Sequence, residues 1–262
     1  AHQGQTPPCA EALIAAGVAR VVSAMEDPDP RVSGSGHARL TAAGIPVQTG
    51  LLAEAAAALQ KGFLTRLRDG RPMVTLKLAT SLDGRIATAS GESSWITGPG
   101  ARRAVHALRA RHDGVLIGAG TARTDDPMLT VRGIGAVRQP VRIVATSDLH
   151  LPRDGALARS AAEVPLWLMT AAGTDPGFWP ETGARLFAVA SKDRQIDPAE
   201  MLQTLGAAGL TRVLCEGGGQ LAASLLRAGL VDEIVGFTAA LMLGSEGRSA
   251  TGTLMLAGLA AA

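Results

Sequence analysis

Apolar runs of strand length alternate with helix-patterned stretches along most of this chain. That alternation restricts the fold more than any other feature. RPMVTLKLATS (71–81), GVLIGAG (114–120), QPVRIVAT (139–146), VPLWLMTA (164–171), ARLFAVAS (184–191) and the run ending at Cys215 read as strands. GARRAVHALRARHDG (100–114), DPAEMLQTLGAAG (197–209) and the stretch after Gly219 read as helices between or after them. Strand–helix–strand order pairs neighbouring strands in parallel and points to an α/β fold. Asp197 as cap, Pro198 at the first helical position and Glu200 form a capping-box pattern.

The N-terminal part repeats the alternation on a smaller scale. Pro7-Pro8 opens a short helix over CAEALIAAG, followed by a strand in VARVVSAM (18–25) and a loop, EDPDPRVSGSG (26–36). HARLTAAG reads as a second short helix, IPVQTG as a strand, and LLAEAAAALQKGFLTRLRDG (51–70) as one longer helix closed by Gly70. A new sheet begins soon after, so the boundary is placed near residue 68, giving domains 1–68 and 69–262. The chain opens without methionine and closes on the apolar GTLMLAGLAAA, and both ends are read as incomplete.

Composition narrows the function classes. Apolar residues are 47% of 262, enough for a substantial core. Aromatics are 3%, with no tyrosine, which removes the stacking platforms that nucleic-acid binding uses. A net charge of +2 without a dense basic block argues against nucleic acid and membrane surfaces as partners. No apolar run reaches membrane-span length, and the first residues do not resemble a signal peptide. Two cysteines, Cys9 and Cys215, make no disulfide framework, which fits a reducing cytoplasm. Cys9 at a helix start is a metal ligand, a nucleophile or a small hydrophobe on local grounds alone.

Three stretches carry candidate chemistry. In CEGGGQLAASLL (215–226) a strand runs into three glycines and then a helix. Such a turn suits a phosphate, yet it matches neither the dinucleotide fingerprint nor a Walker A loop, and a plain tight turn explains it equally well. Glu216, at the strand's carboxyl end, faces the crevice where α/β sheets bind ligands, or is an exposed loop carboxylate. In KLATSLDGRIATASGESSWIT (77–97) a lysine, Lys77, interrupts an apolar strand, where a solvent face is the bland reading. The hydroxyls of ASGESS and the ring of Trp95 suit ligand contact. In LRARHDGVLIGAGTARTDDPMLTVR (108–132), Arg109 and Arg132 are fork donors able to clasp a phosphate, or solvated surface. TARTDDP is read as a turn, with Thr121 and Asp125 just past a strand end; Asp125-Asp126 is a metal pair or a turn signal. The five histidines are scattered and pair with neither cysteine in a metal or nucleophile pattern.

VTLKLATSLDGRIATASGESSWITG, GAGTARTDDPMLTVR and CEGGGQLAASLLRAGLVDE, in this order, closely resemble the reductase domain of the bifunctional riboflavin-biosynthesis deaminase–reductase family. HQGQTPPCAEALIAAGVARVV with DPDPRVSGSG resembles the back half of that family's deaminase domain. The resemblance runs from residue 1 to about residue 250. It implies a dihydrofolate-reductase-like α/β domain preceded by a partial cytidine-deaminase-like domain. It implies a homo-oligomer that uses NADPH to reduce the ribosyl group of a phosphorylated pyrimidine, 5-amino-6-(5-phosphoribosylamino)uracil.

Carried onto this sequence, the resemblance puts Ala79, Trp95, Thr121, Asp125, Ser147 and the run Gly218, Gly219, Gln220, Leu221, Ala222, Ala223, Ser224 against the cofactor. It puts Ser93, Arg109, Leu129, Arg132 and Glu216 against the substrate, with Lys77 or Glu216 moving the proton. Cys9 becomes one ligand of a zinc site whose other ligands would lie upstream of residue 1, so zinc belongs to the complete deaminase domain only. The competing expectations are a reductase of another pteridine or pyrimidine, and a non-catalytic nucleotide-binding subunit.

Overall fold

A computed structural model describes residues 7–93, 96–135, 137–193 and 195–256. The chain splits into two compact units, Ala1–Asp69 and Gly70–Ala262.

In the first unit, helices Cys9–Ala15 (α1) and Ser35–Ala42 (α2) accompany two short parallel strands, Val21–Ser23 (β1) and Val47–Thr49 (β2). Ala10, Leu40 and Ile45 form its core, with Leu13, Ile14, Val18, Val21 and Val47 packed on it. Arg39 on α2 pairs with Glu11 on α1. The long helix expected over 51–70 is instead two, Ala53–Leu59 (α3) and Lys61–Asp69 (α4), with the break at Gln60. The alanine-rich α3 buries none of its residues, whereas α4 buries Gly62 and Thr65. Propensity alone does not hold a run of this length as one rod.

The second unit is built on a fully parallel seven-stranded sheet. Its elements in chain order begin with Met73–Ser81 (β3), Arg85–Ala87 (β4), Pro99–Ala110 (α5), Gly114–Gly118 (β5), Ala119–Asp125 (α6), Val141–Ala145 (β6) and Ala156–Arg159 (α7). Leu166–Ala171 (β7), Arg185–Val189 (β8), Ser191–Lys192 (β9), Gln195–Ile196 (β10) and Pro198–Ala207 (α8) follow. Arg212–Gly217 (β11), Gly219–Arg227 (α9), Glu233–Ala239 (β12) and Arg248–Ser249 (β13) complete it. The TARTDDP segment, expected as a turn, lies largely in α6; the one-turn α7 had no expectation.

The spatial order is β12-β3-β11-β5-β6-β7-β8. The chain steps outward from β5 to β8, then returns to insert β11 between β3 and β5. That reversal leaves a crevice at the carboxyl ends of the central strands. Alternate side chains feed two cores. Val74, Leu76, Leu116, Ile143, Val213 and Cys215 pack with Met201, Leu202 and Leu205 of α8 and Leu225 of α9. Val115, Ile117, Val144, Leu166 and Leu168 pack on the opposite face with Leu157 and Trp179.

Asp197 caps α8, accepting from the amides of Ala199 and Glu200, both at 2.9 Å. Glu200 does not return its carboxylate to the cap in the capping-box manner. It accepts instead from the Ala190 amide at 3.0 Å, and the Asp197 amide donates to the Ala190 carbonyl at 2.8 Å. The helix start is thereby stitched to the chain leaving β8.

Candidate active site

A cleft of about 1060 Å³ lies at the carboxyl ends of β3, β5, β6 and β11. Parallel strands end there with unpaired backbone, and the helices that follow begin there.

Lys77, half-buried on β3, lines the cleft rather than solvent. Burial pushes its ammonium below the ordinary lysine range, the nearby Glu216 carboxylate opposes that, and Arg109 reinforces it. Glu216, in β11, takes both oxygens of its carboxylate to Arg109 of α5. Nε donates to Oε1 at 2.5 Å and Nη2 to Oε2 at 2.8 Å. The third edge of the fork, Nη1, donates to the Thr130 carbonyl at 2.9 Å. Both side chains are nearly buried, at 12% and 8% exposure. A bidentate pair of this kind fixes the carboxylate in direction as well as charge.

The arginines expected to clasp phosphate are thus placed differently. Arg109 is committed to Glu216 and Thr130 and acts on the cleft through Glu216. The Arg132 side chain is exposed and outside the cleft walls, while its amide donates to His106 Nδ1 at 3.2 Å. Burial, with Arg109 and Arg132 nearby, holds His106 below the usual imidazole range. Leu129 is 3% exposed and packs in the apolar core under β5 and β6. Its φ of +54° makes it one of few non-glycine residues in the left-handed region. Its side chain therefore cannot face a substrate; at most its main chain does.

The glycine turn lies at the cleft as expected. Gly218 (φ +86°) caps α9, and residues 218 to 222 with Ser224 line the wall. Ala223 points inward and is 1% exposed, so it belongs to the core and not to the wall. A Cβ on Gly219 would meet the Ala250 carbonyl at 3.3 Å and the Gly252 nitrogen at 3.4 Å. The turn thus opens α9 at the cleft wall, a placement that fits a diphosphate-bearing dinucleotide. Thr121 backs this turn; a Cβ on Gly217 would sit 3.1 Å from it.

Ala79, Ser93, Asp125 and Ser147 also line the cleft. Burial raises Asp125 above the usual carboxylate range. Asp126 is no second metal ligand beside it, since its Oδ1 accepts from the Ala156 amide at 2.7 Å. Trp95 lies outside the described residues. Cys9 is exposed at the start of α1, and Cys215 is buried with its thiol pushed up to about 12. Among the described residues no cluster of His, Cys, Asp or Glu has metal-holding geometry. Among them too, no helix is long and apolar enough to cross a membrane.

Sequence reasoning missed several wall residues. Thr146, at the end of β6, is 2% exposed with an unpartnered hydroxyl. Gln195 and Ile196 come from β10, and Arg248 to Gly252 form a strap along the cleft. None carries a local motif; a hydroxyl beside a strand end was the only signal for Thr146.

Residues 72–259 match the family profile described as the RibD C-terminal domain. The chain is similar to riboflavin biosynthesis protein RibD of Escherichia coli, at 43% identity over 94% of this chain and 70% of that protein. Among solved structures it resembles Acinetobacter baumannii RibD, with a TM-score of 0.88, 36% identity, and coverage of 99% of this chain and 71% of that one. It also resembles a diaminohydroxyphosphoribosylaminopyrimidine deaminase/5-amino-6-(5-phosphoribosylamino)uracil reductase from Thermotoga maritima. There the TM-score is 0.82 at 31% identity, covering 95% of this chain and 67% of that one.

Proposed function

The chain belongs to the RibD C-terminal domain family and is a riboflavin-biosynthesis reductase, and from that premise we propose the reaction and the residues that carry it. The substrate is 5-amino-6-(5-phosphoribosylamino)uracil, whose ribosyl group is reduced to a ribityl chain, with NADPH as the source of the hydride it would need. The observation that carries this reading is the convergence of Lys77, Glu216 and the Gly218–Gly219 turn on one cleft.

The residues fit the cofactor. The glycine turn lines one cleft of about 1060 Å³ together with Ala79, Thr121, Asp125 and Ser147, a volume that accommodates a dinucleotide. Bound NADPH supplies a hydride. The protein's own part is positional and protonic. The ribosylamine opens to an imine, the hydride adds at C1′, and the nitrogen takes up a proton to become the amine. Lys77 is the donor of that proton, because burial has already weakened its hold on it. Glu216, with both oxygens accepting from Arg109, is held as an acceptor and orients the substrate. Ser93, which lines the cleft, contacts the substrate; Leu129 and Arg132, which the resemblance also assigns to it, do not line the cleft.

The protein works in the cytoplasm as a homo-oligomer, without nucleic-acid or membrane partners. Cys9 would be one ligand of a zinc ion in a complete deaminase domain, where the metal would supply activated water for a deamination.

The test follows the absorbance of NADPH in the presence of the deaminated pyrimidine phosphate. Oxidation that depends on that substrate is expected. NADPH binding without oxidation would replace the reductase reading with that of a nucleotide-binding module.

A further inference from the structure

We propose that Arg248 is an anion-binding residue of the cleft, holding a phosphoryl group of a bound ligand beside the glycine turn at the start of α9. The inference rests on the proposed reaction for the ligands' identity, but not for the site itself.

The strap that carries Arg248 is built into the cleft wall. β13 pairs antiparallel with β4, setting Arg248 opposite Ala87. The Ala250 amide donates to the Gly84 carbonyl at 3.2 Å, and the Gly252 amide to the Gly219 carbonyl at 2.8 Å. Arg85 Nη1 donates to Ser249 Oγ at 2.8 Å. The strap thus joins the β3–β4 turn to the first residue of α9, and it lies so close to Gly219 that a Cβ there would crowd it.

The Arg248 guanidinium rests on Gly91. A Cβ at Gly91 would lie 2.8 Å from Nη2 and 3.1 Å from Cζ, so the glycine leaves the seat that the guanidinium occupies. Gly91 precedes Ser93 by two positions, and Arg248 precedes Gly252 by four. The charge therefore stands against the loop of Ser93, in the cleft that the glycine turn also lines.

The other cations of the cleft are engaged. Arg109 is spent on Glu216 and Thr130. Arg123 donates to the His150 carbonyl at 3.0 Å, Arg102 to the Thr97 carbonyl at 3.3 Å, and Lys77 faces Glu216. The Arg248 side chain makes no hydrogen bond or ion pair among the described residues, although the residue lines the cleft. A guanidinium seated on glycine with all its donors open matches a phosphoryl oxygen pair.

The probe is inorganic pyrophosphate, titrated calorimetrically into the wild-type chain and into Arg248→Met and Arg248→Gln; Gln keeps a polar, N–H-donating side chain, shorter than that of Arg and without its charge. NADPH affinity and the KM for the phosphorylated pyrimidine are measured on the same proteins. Because Arg248 is exposed, both variants are expected to melt with the wild type. Pyrophosphate binding is expected to weaken about tenfold, the scale of one charge-assisted hydrogen bond. If NADPH affinity falls with it, the phosphoryl group is the dinucleotide's. If the pyrimidine's KM rises instead, it is the substrate's; either result upholds the site. Unchanged values for all three ligands in both variants overturn it. Calorimetry needs no turnover, so pyrophosphate binding through Arg248 without NADPH oxidation would sink the proposed reaction and leave this inference standing.

Discussion

Arg109 and Glu216 meet fork to fork across α5 and β11, Nε to Oε1 at 2.5 Å and Nη2 to Oε2 at 2.8 Å, with little of either side chain in water. Removing one partner of such a pair leaves the other buried and uncompensated. Arg109→Met should destabilise the fold by about 3 kcal/mol and raise the substrate KM, since Glu216 loses its direction. Chemical denaturation and steady-state kinetics check both. Wild-type stability would show that Glu216 finds water instead.

Lys77→Met should leave NADPH affinity near wild type and lower kcat by roughly a hundredfold or more, the ordinary range for a lost general acid. Because burial depresses the lysine, the proton donor is lost as pH rises through a value below the usual lysine range. The wild-type rate should therefore show a basic limb there that the variant lacks. A limb shared by both proteins would remove Lys77 from the proton transfer.

Asp83 tethers Leu243 and Gly244 to the β3–β4 turn. Ser81 Oγ donates to it at 2.6 Å, and the amides of Leu243 and Gly244 donate to it as well. These bonds, Ser81 foremost, hold its carboxyl down to about 2. The folded value lies below the unfolded one, so the tether contributes stability above the ordinary carboxylate range and loses it as pH falls toward 2. Asp83→Asn should flatten that part of the acid-unfolding curve, measured by far-UV circular dichroism.

Gly206 in α8 runs against the entry to β3, and a Cβ on it would lie 2.2 Å from the Gly70 carbonyl. Both partners are backbone and cannot turn aside. Gly206→Ala should cost about 1–3 kcal/mol by overpacking, despite the better helix propensity of alanine. A thermal melt at or above that of the wild type would contradict the close approach.

What the sequence determined by itself is local. Apolar runs of strand length set the parallel strands, Asp197-Pro198 set the start of α8, and the glycines after Glu216 set the turn at the cleft. Each is a matter of period, cap or allowed φ, which neighbouring residues decide. The break at Gln60 and the helix α6 escaped that reading because short, weakly patterned segments take their form from what they pack on. The side-chain assignments needed the fold. An arginine reads the same whether it clasps a carboxylate, as Arg109 does, or stands open in the cleft, as Arg248 does. Leu129 fell inside, Ala223 fell inside while Ala222 and Ser224 lined the wall, and Lys77 lined the cleft rather than the solvent face that its strand pattern alone suggests. Partners distant in sequence settled each case, because the desolvation and pairing of a charge depend on what the tertiary structure brings beside it.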